Sequence, residues 1–393
     1  MEWNQKLRDF ITCHFDDDTD SLLLAAGRYP DVDVVAAVEQ IEARRRLRNK
    51  LPEWFAAADN LIMGGRVPAE QCSSEQTAKY KRGLVVGDSL CDLTGGMGVD
   101  LFYMSRGLQR AIYTERQTHL CEAARHNFAV LGAESIEVRE GDGRELPLPD
   151  VDTIYLDPAR RAEGDKRVYE VADCEPNVIE WQDELLSHCR HLVTKISPMA
   201  DIHRTLERLH RMTDVHVVAV KGECKEILIE QGERRGDGEG VVVHCVDFLP
   251  KETVAYHYPL SLEASAVAAY SDGGVDAYLY EPDVTLMKAQ AFRALCGLFD
   301  VRKLDANTHL YTSPVLSASF PGRRFVVEET MDFSSKMLKT LKRSIPQANI
   351  TSRGFVLTAD ELRKRAGIKD GGEVYLFAAT VGGRKVIIRC RKA

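Results

Sequence analysis

The segment from Cys91 to Asp100, CDLTGGMGVD, could bring the backbone of this chain close to a ligand. Its small residues follow a predicted strand and precede a predicted helix. Glycine has no side chain to hold a ligand away, and it tolerates a positive φ in a tight turn. We therefore expect this glycine loop to hold a nucleotide-like ligand, although an ordinary strand-to-helix turn could use the same residues.

Acidic residues follow the next three predicted strands. Glu115 lies about 20 residues beyond the glycines, where a carboxylate can accept both hydroxyl groups of a ribose. Asp142 is followed by Gly143 and can meet the exocyclic amine of an adenine. Asp157 precedes Pro158 at the carboxyl end of the fourth strand, and ligands of open α/β sheets bind at that edge.

The elements that position these residues alternate short apolar strands with helical stretches, which is typical of a parallel sheet covered by helices. The last two strands are joined by residues 221–225, too few for a crossover helix, so we expect them to pair antiparallel. The predicted fold class is α/β, with a mostly parallel seven-stranded sheet within residues 81–240. The predicted strands are residues 89–93, 111–114, 136–139, 153–156, 192–196, 215–220 and 226–230.

The regions on either side of this sheet have different patterns. Residues 1–80 carry apolar residues at helical spacing, as in VDVVAAVEQIEARRRL, and predict a helical domain. Residues 241–320 combine short β-like runs with a helix-like segment, and predict a connecting β segment followed by a small domain. Residues 321–393 alternate strand and helix patterns and end in a hairpin pattern, which predicts a compact α/β unit.

The charge of the 393-residue chain is unevenly distributed. The net charge is −8, yet residues 321–393 hold 16 basic and 7 acidic side chains, so this unit carries +9 and the rest carries −17. Such an asymmetry favours a nucleic-acid-binding end on an acidic body, while a solvated basic surface would give the same count.

Several classes of protein are excluded by composition. No apolar run approaches the ~20 residues that span a bilayer, and the N-terminal segment lacks the pattern of a secretory signal. The ten cysteines include no Cys-x-x-Cys pair, which argues against a disulfide framework and a cysteine-rich zinc site. His188 and His191 have no second pair of ligands, so we predict no metal. We expect a cytoplasmic protein that does not contact a membrane.

The order of these motifs resembles that of class I S-adenosylmethionine (SAM) methyltransferases: a glycine turn, an acid after each of the next two strands, and Asp-Pro after the fourth. The whole chain is similar to the bacterial family of these enzymes with a C-terminal THUMP-like domain. The resemblance is carried by CSSEQTAKYK (Cys72–Lys81), DLTGGMGVD and LDPARR, followed by a ferredoxin-like piece and the basic α/β unit. It implies a Rossmann-like fold, SAM as cofactor and, because THUMP domains bind RNA, an RNA partner.

The resemblance also implies roles for individual residues. Glu115 would bind the ribose, Asp142 with Gly143 would lie near the adenine, and Asp157 with Pro158 would face the methyl acceptor. The methionine end of the cofactor would lie against Asp92, Thr94, Gly95, Gly96, Met97 and Gly98.

The residues on the acceptor side allow more than one interpretation. Ala159 and Arg160 stand where adenine-N6 enzymes have Pro and an aromatic residue, which argues against that product. Arg160 and Arg161 could bind a phosphate or the target base, or pair with nearby acids. Lys195 and Ser197 could bind the acceptor or cap a helix starting at Met199. The substrate contacts predicted in the basic unit are Arg323 and Arg324.

The glycine loop DLTGGMGVD also resembles the D-x-T-x-G-x-G-x-D version found in ribosomal RNA guanine-N2 methyltransferases. This resemblance implies transfer of a methyl group from SAM to a base nitrogen in RNA, either rRNA or tRNA. Asp157, Pro158 and Arg160 are the predicted catalytic residues. Neither LDPARR nor the fifth strand supplies the cysteine that carbon-5 methylation of a pyrimidine requires. Methylation of a protein or small molecule, and RNA binding by an inactive methyltransferase fold, remain alternatives.

Overall fold

A computed structural model describes residues 3–160, 171–233 and 240–393. The chain forms two compact units. The first consists of Met1–Asp214 and Ile227–Asp237, and the second of Val215–Glu226 and Gly238–Ala393. Among the described residues, no helix has both the length and the apolar character needed to cross a bilayer.

The N-terminal region is helical, as predicted. Side chains of Asn4, Asp18, Asp33 and Ser74 accept hydrogen bonds from backbone N–H groups at the starts of four of its helices, which satisfies donors that the helix itself leaves open. Apolar residues of the first three helices form one buried cluster. The helices are α1 (Gln5–Cys13), α2 (Thr19–Leu24), α3 (Val34–Leu47), α4 (Pro52–Ala56), α5 (Arg66–Gln71) and α6 (Glu75–Arg82).

A mainly parallel sheet forms the centre of the first unit. Its strands are β1 (Ser89–Asp92), β2 (Arg110–Glu115), β3 (Ile136–Glu140), β4 (Val151–Leu156), β7 (Cys189–Ile196) and, from Ile227 onwards, β9 (Glu223–Gly232). The helices of this region are α7 (Val99–Met104), α8 (Thr118–Val130), α9 (Val178–His188) and α10 (Ile202–Leu206), and the short strands β5 (Ala159–Arg160) and β6 (Cys174–Glu175) pair with each other. The middle residues of these strands are almost fully buried except in β3, which lies at the edge of the sheet. This burial explains the apolar runs of the other strands.

The predicted antiparallel hairpin is confirmed and is longer than expected. Strand β8 (Met212–Val220) connects to β9 through Lys221 and Gly222 alone, a length that permits only antiparallel pairing. β9 in turn runs antiparallel to β7, with Ile227 opposite Ile196. The seven predicted strands therefore lie in the order β3-β2-β1-β4-β7-β9-β8.

The β-like runs predicted after residue 240 form strands in the second unit. The predicted connecting segment forms β10 (Val242–Phe248) and β11 (Thr253–Pro259), which pair antiparallel in full register. Because β10 lies next to β8, these two strands extend the sheet beyond the seven predicted strands, to nine among the described residues. Three short helices are interspersed with the next strands: α11 (Leu260–Ser265), α12 (Val284–Ala289) and α13 (Ala294–Phe299).

A second sheet contains the C-terminal strands and confirms the predicted strand, helix, strand, helix and hairpin order. Its strands occur in the order β13-β14-β12-β15-β18-β17-β16, around a core that includes Phe325, Phe377 and Ile388. The elements are β12 (Tyr278–Pro282), β13 (Arg302–Asp305), β14 (Thr308–Ser313), β15 (Gly322–Asp332), α14 (Ser335–Ser344), β16 (Asn349–Arg353), α15 (Ala359–Ala366), β17 (Tyr375–Val381) and β18 (Arg384–Lys392). The domain boundaries after residues 80, 240 and 320 stay predictions.

Candidate active site

The predicted site residues of the first unit gather at one edge of its sheet. Strands β1, β2, β3, β4 and β7 are parallel, and Asp92 at the end of β1 lies beside Tyr113 on β2 and Tyr155 on β4. The loops that follow these strands therefore open on the same side, as ligand-binding loops of open α/β sheets do.

Two glycines of the glycine loop pack so closely against aromatic rings that neither position has room for a side chain. A Cβ atom at Gly95 would lie 2.2 Å from the ring of Tyr113, and one at Gly98 would lie 2.7 Å from that of Phe128. Gly96 differs, because its φ is +54° and a Cβ there would meet no atom closer than 3.9 Å. The backbone at Gly96 thus faces open space, as a ligand cradle requires.

Thr94 connects the glycine loop to the acids at the ends of β1 and β4. Its hydroxyl donates to Asp92 Oδ1 over 3.2 Å and accepts from the backbone N–H of Asp157 over 2.7 Å. Burial raises the pKa of Asp92 to about 8, with the nearby Asp100 and Asp157 adding to the effect and the hydrogen bonds from Thr94 opposing it. Asp92 is therefore mostly a neutral carboxyl group at pH 7.

The Glu115 carboxylate is also bound to the glycine loop. Oε2 accepts from the backbone N–H of Gly96 over 2.9 Å, and Oε1 accepts from the backbone N–H of Gln117, also over 2.9 Å. The Tyr113 hydroxyl donates to the Gly96 carbonyl from beneath. A carboxylate has about four lone-pair positions, so Glu115 keeps acceptor capacity for the hydroxyls of a ribose.

Asp142 is held by a neighbouring arginine that the sequence analysis did not consider. The Arg144 side chain donates from Nε to Oδ1 and from Nη2 to Oδ2, over 3.1 and 2.7 Å, and its Nη2 also contacts Glu175. These hydrogen bonds lower the pKa of Asp142 to about 2, so it stays ionised. Gly143 is packed against Leu93, whose carbonyl oxygen would lie 3.1 Å from an added Cβ.

Asp157 is the most exposed acid of the site, and it contacts Lys195. Its side chain is 38% exposed, and one carboxylate oxygen contacts the ammonium group of Lys195 near the end of β7. Pro158 directly follows Asp157. Arg160 takes part in the backbone pairing of β5, and Arg161 lies outside the described residues.

The sequence analysis missed a buried acid next to these two residues. Asp100 at the start of α7 lies 3.9 Å from Lys195 Nζ, and its other oxygen lies 3.1 Å from Nζ of Lys81, which is fully buried on α6. Ser73 and Tyr155 each donate a hydroxyl to Asp100 over 2.8 Å. Asp100 therefore joins the N-terminal helices to the acceptor side of the site.

Electrostatics explain how Asp100 stays charged inside the protein. Burial alone would raise its pKa, but the Lys81 and Lys195 ammonium groups and two hydroxyl donors outweigh burial and lower it. The signal was present in the sequence, since Ser73, Lys81 and Asp100 all stand within the quoted motifs CSSEQTAKYK and TGGMGVD. Nothing in their spacing, however, indicates that the two motifs meet.

The remaining predicted residues have structural partners. Ser197 accepts from the backbone N–H of Met199 over 3.2 Å, but the helix expected there begins only at Ile202, because Asp201 caps it. In the second unit, Arg323 pairs with the buried Glu281 and Arg324 donates to the Ala318 carbonyl.

Comparison with known proteins gives the family. A structure of a candidate methyltransferase from Porphyromonas gingivalis W83 matches with 37% identity and a TM-score of 0.88, and the match covers 100% of both chains. This chain belongs to that methyltransferase family. Family models match a ferredoxin-like domain at residues 278–321 and a THUMP domain-like region at residues 322–392.

More distant relatives of this methyltransferase agree with the cofactor class. Uncharacterized SAM-dependent methyltransferases from two strains of Mycobacterium tuberculosis are 22% identical over 88% of this chain and 92% of their own length. The predicted family, fold class and cofactor are confirmed.

The residues of this methyltransferase fit the nucleoside part of SAM. The open backbone at Gly96 allows close approach, and the Glu115 carboxylate beside it retains free acceptor positions. Both features lie on the edge of the sheet where Asp157 stands, so a cofactor held there would have an acidic side chain next to it.

Proposed function

We propose that this methyltransferase acts in the cytoplasm on a base nitrogen of RNA, either rRNA or tRNA. The observation that carries the proposal is the THUMP domain-like match to residues 322–392, which is the part of the chain with 16 basic and 7 acidic side chains. Basic side chains bind phosphates and release their counterions, so such a unit suits RNA better than an uncharged small molecule.

The acceptor side of the site suits a nitrogen that bears hydrogen. SAM supplies a methyl group already activated on a sulfonium, so the protein has mainly to align the acceptor and exclude water. The Asp157 carboxylate, fixed at its backbone by Thr94 and at its side chain by Lys195, can accept a hydrogen bond from an N–H group. Asp157 is thus the residue that would orient the acceptor nitrogen.

Cys189 on β7 is not placed for the cysteine chemistry of carbon-5 methylation. Cys189 begins β7, at the opposite end of the strand from Lys195 and Asp157. Burial raises the pKa of its thiol to about 12, so it is not a ready thiolate nucleophile at neutral pH.

The first experiment measures methyl transfer from radiolabelled SAM to total RNA of cells that lack the gene. We expect labelled RNA with the wild-type protein and a loss of at least ~100-fold with Asp157→Asn, because acceptor alignment commonly contributes that much. Asp150→Asn is the matched control, since Asp150 is exposed at the opposite edge of the sheet, where its side chain contacts His188. Labelling of protein instead of RNA would refute the RNA assignment.

A second experiment tests the RNA contact itself. Electrophoretic binding to the same RNA at 50 and 200 mM salt should show affinity falling steeply with salt, as expected when several phosphates are neutralised. RNA that binds equally at both concentrations, or not at all, would contradict the proposal. RNA binding with no transfer to any substrate would favour the inactive-fold alternative.

A further inference from the structure

Four side chains of the first unit form a line of alternating charge, which we call the charge chain: Lys81, Asp100, Lys195 and Asp157. Lys81 and Asp100 are 3.1 Å apart, Asp100 and Lys195 are 3.9 Å apart, and Lys195 contacts Asp157 directly. Exposure of the side chains increases along it, from 0% at Lys81 to 38% at Asp157. The chain therefore begins in the core and ends at the acceptor side of the site.

The charge chain is electrically balanced. It holds two ammonium groups and two carboxylates, and the adjacent Asp92 is mostly neutral at pH 7 because burial raises its pKa to about 8. Charges in such surroundings attract strongly but are costly to leave unpaired. Replacing one member should therefore displace its neighbours rather than affect only its own position.

Other contacts fix the buried half of the charge chain. Asp100 accepts hydrogen bonds from Ser73 and Tyr155, and Lys81 donates to Ser73 over 3.0 Å. Asp100 thus has a determined position, and Lys195 lies between this fixed carboxylate and the more exposed Asp157. A lysine held between two carboxylates is poorly placed to bind a substrate phosphate as well.

We propose that Lys195 is a positioning residue, which Asp100 and Lys81 hold in place so that it orients the Asp157 carboxylate towards the acceptor nitrogen. The inference rests on the proposed function, because it takes Asp157 as the group that accepts a hydrogen bond from that nitrogen. It replaces the direct substrate contact that the sequence analysis considered for Lys195. It also gives the N-terminal helix α6 a role in the acceptor site.

The contacts can be tested without catalysis, by NMR of the ammonium groups in protein labelled with ¹⁵N-lysine. We expect the Lys195 signal, identified by its loss in Lys195→Met, to shift in both Asp157→Asn and Asp100→Asn. The Lys81 signal should shift in Asp100→Asn and much less in Asp157→Asn. If the Lys195 signal does not shift in Asp157→Asn, the proposal is overturned, whatever the substrate is.

Kinetics then separate positioning from substrate or cofactor binding. For Lys195→Met we expect kcat on RNA to fall ~100-fold, with KM and the Kd for S-adenosylhomocysteine changed less than about threefold. Lys195→Arg should recover part of kcat. Arg190→Met is the control on the same strand, because Arg190 pairs with the exposed Glu233 at the far end of β7. A rise in KM alone would mean that Lys195 binds substrate, and an unchanged kcat would also refute the proposal.

The role of Lys81 needs variants that keep the core neutral. Lys81→Met should reduce kcat and stability together, because it leaves Asp100 with one cation fewer. The double variant Lys81→Met/Asp100→Asn removes one charge of each sign, so we expect it to recover stability but not full kcat. Lys79→Met on the same helix removes the contact of an exposed ammonium group with Glu75, so we expect an unchanged kcat and a much smaller loss of stability. Full activity in the folded double variant would exclude Lys81 and Asp100 from positioning.

These readouts distinguish the two proposals. If wild-type protein transfers no methyl group to RNA, the RNA assignment fails, while the lysine signals still decide whether the charge chain exists. If RNA is methylated and Lys195→Met retains its kcat, the RNA assignment stands and the positioning role fails.

Discussion

The backbone N–H of Gly96 donates a 2.9 Å hydrogen bond to Oε2 of Glu115. The acid that the sequence assigns to the ribose is therefore also a structural partner of the glycine loop. A ligand that hydrogen-bonds Glu115 would find the loop already held in place, which lowers the ordering cost of binding. The loop and the acid should accordingly respond to mutation as one assembly.

The first prediction concerns Glu115. In Glu115→Gln, an amide NH₂ would face one of the two backbone N–H groups that the carboxylate accepts, so both the loop and the ribose lose a partner. We expect S-adenosylhomocysteine affinity to fall ~10- to 100-fold by calorimetry, the range for a hydrogen bond to a charged group. Glu122→Gln on α8, at an exposed position, should bind normally. Equal affinity in both variants would remove Glu115 from the cofactor site.

The second prediction compares two adjacent glycines. Gly95→Ala should lower the Tm, because its Cβ would overlap the buried Tyr113 ring and overpacking costs about 1–3 kcal/mol. In Gly96→Ala the added Cβ meets no close atom, so we expect a smaller loss of Tm, caused by the positive φ alone. We nevertheless expect a clear loss of S-adenosylhomocysteine binding. Thermal scans and calorimetry measure the two effects. In the Tyr113→Ala background, Gly95→Ala should lower the Tm by less than it does in the wild-type protein. If the Tm losses of the two variants simply add, the Tyr113 ring is not the obstacle.

The third prediction is a pH dependence of stability from Asp92. Its folded pKa of about 8 lies above the usual aspartate value of 3.8, so the folded state keeps a proton that the unfolded state has released. Between pH 5.5 and 7.5, wild-type stability relative to Asp92→Asn should therefore fall with rising pH, by up to about 1.4 kcal/mol per unit. The difference should level off above pH 8. Urea unfolding measures it, and a difference that grows with pH would mean Asp92 is ionised in the folded protein.

The fourth prediction separates structural from RNA-binding arginines in the second unit. Arg323 and Arg353 both pair with the buried Glu281, so Arg323→Met should lower the Tm. Arg365 is exposed on α15, so Arg365→Met should leave the Tm unchanged. It should reduce the slope of log affinity for RNA against log salt concentration by the equivalent of about one phosphate contact. If Arg323→Met instead left the Tm unchanged and reduced the salt dependence of RNA binding, Arg323 would be a phosphate ligand.

The sheet and the glycine loop could be predicted because their signals are local. Apolar runs, turn residues and a two-residue hairpin connection specify strands and pairing direction, and the acids follow strands that end at a common edge. The family resemblance then supplied the cofactor. The predicted start of α10 at Met199 was wrong. Ser197 and Asp201 are both good capping residues, and the sequence does not indicate which of them begins the helix.

The charge chain could not be predicted because it depends on tertiary contacts. Lys81 stands in a polar helix sequence, where a lysine is ordinarily solvated, and Asp100 is ordinary for the first turn of a helix. Their contact requires α6 to pack against the start of α7. Likewise, the Arg323 contact with Glu281 joins residues 42 positions apart.

The division of the chain within the β8–β9 hairpin affects how the protein can be made and cut. Residues 215–226 belong to the second unit, whereas Ile227–Asp237 return to the first. During translation, residues 215–226 of the second unit therefore leave the ribosome before the last segment of the first unit does. For the same reason no single protease cleavage can release either unit whole, and a truncation that ends at Asp214 would lack β9, the strand that pairs with β7.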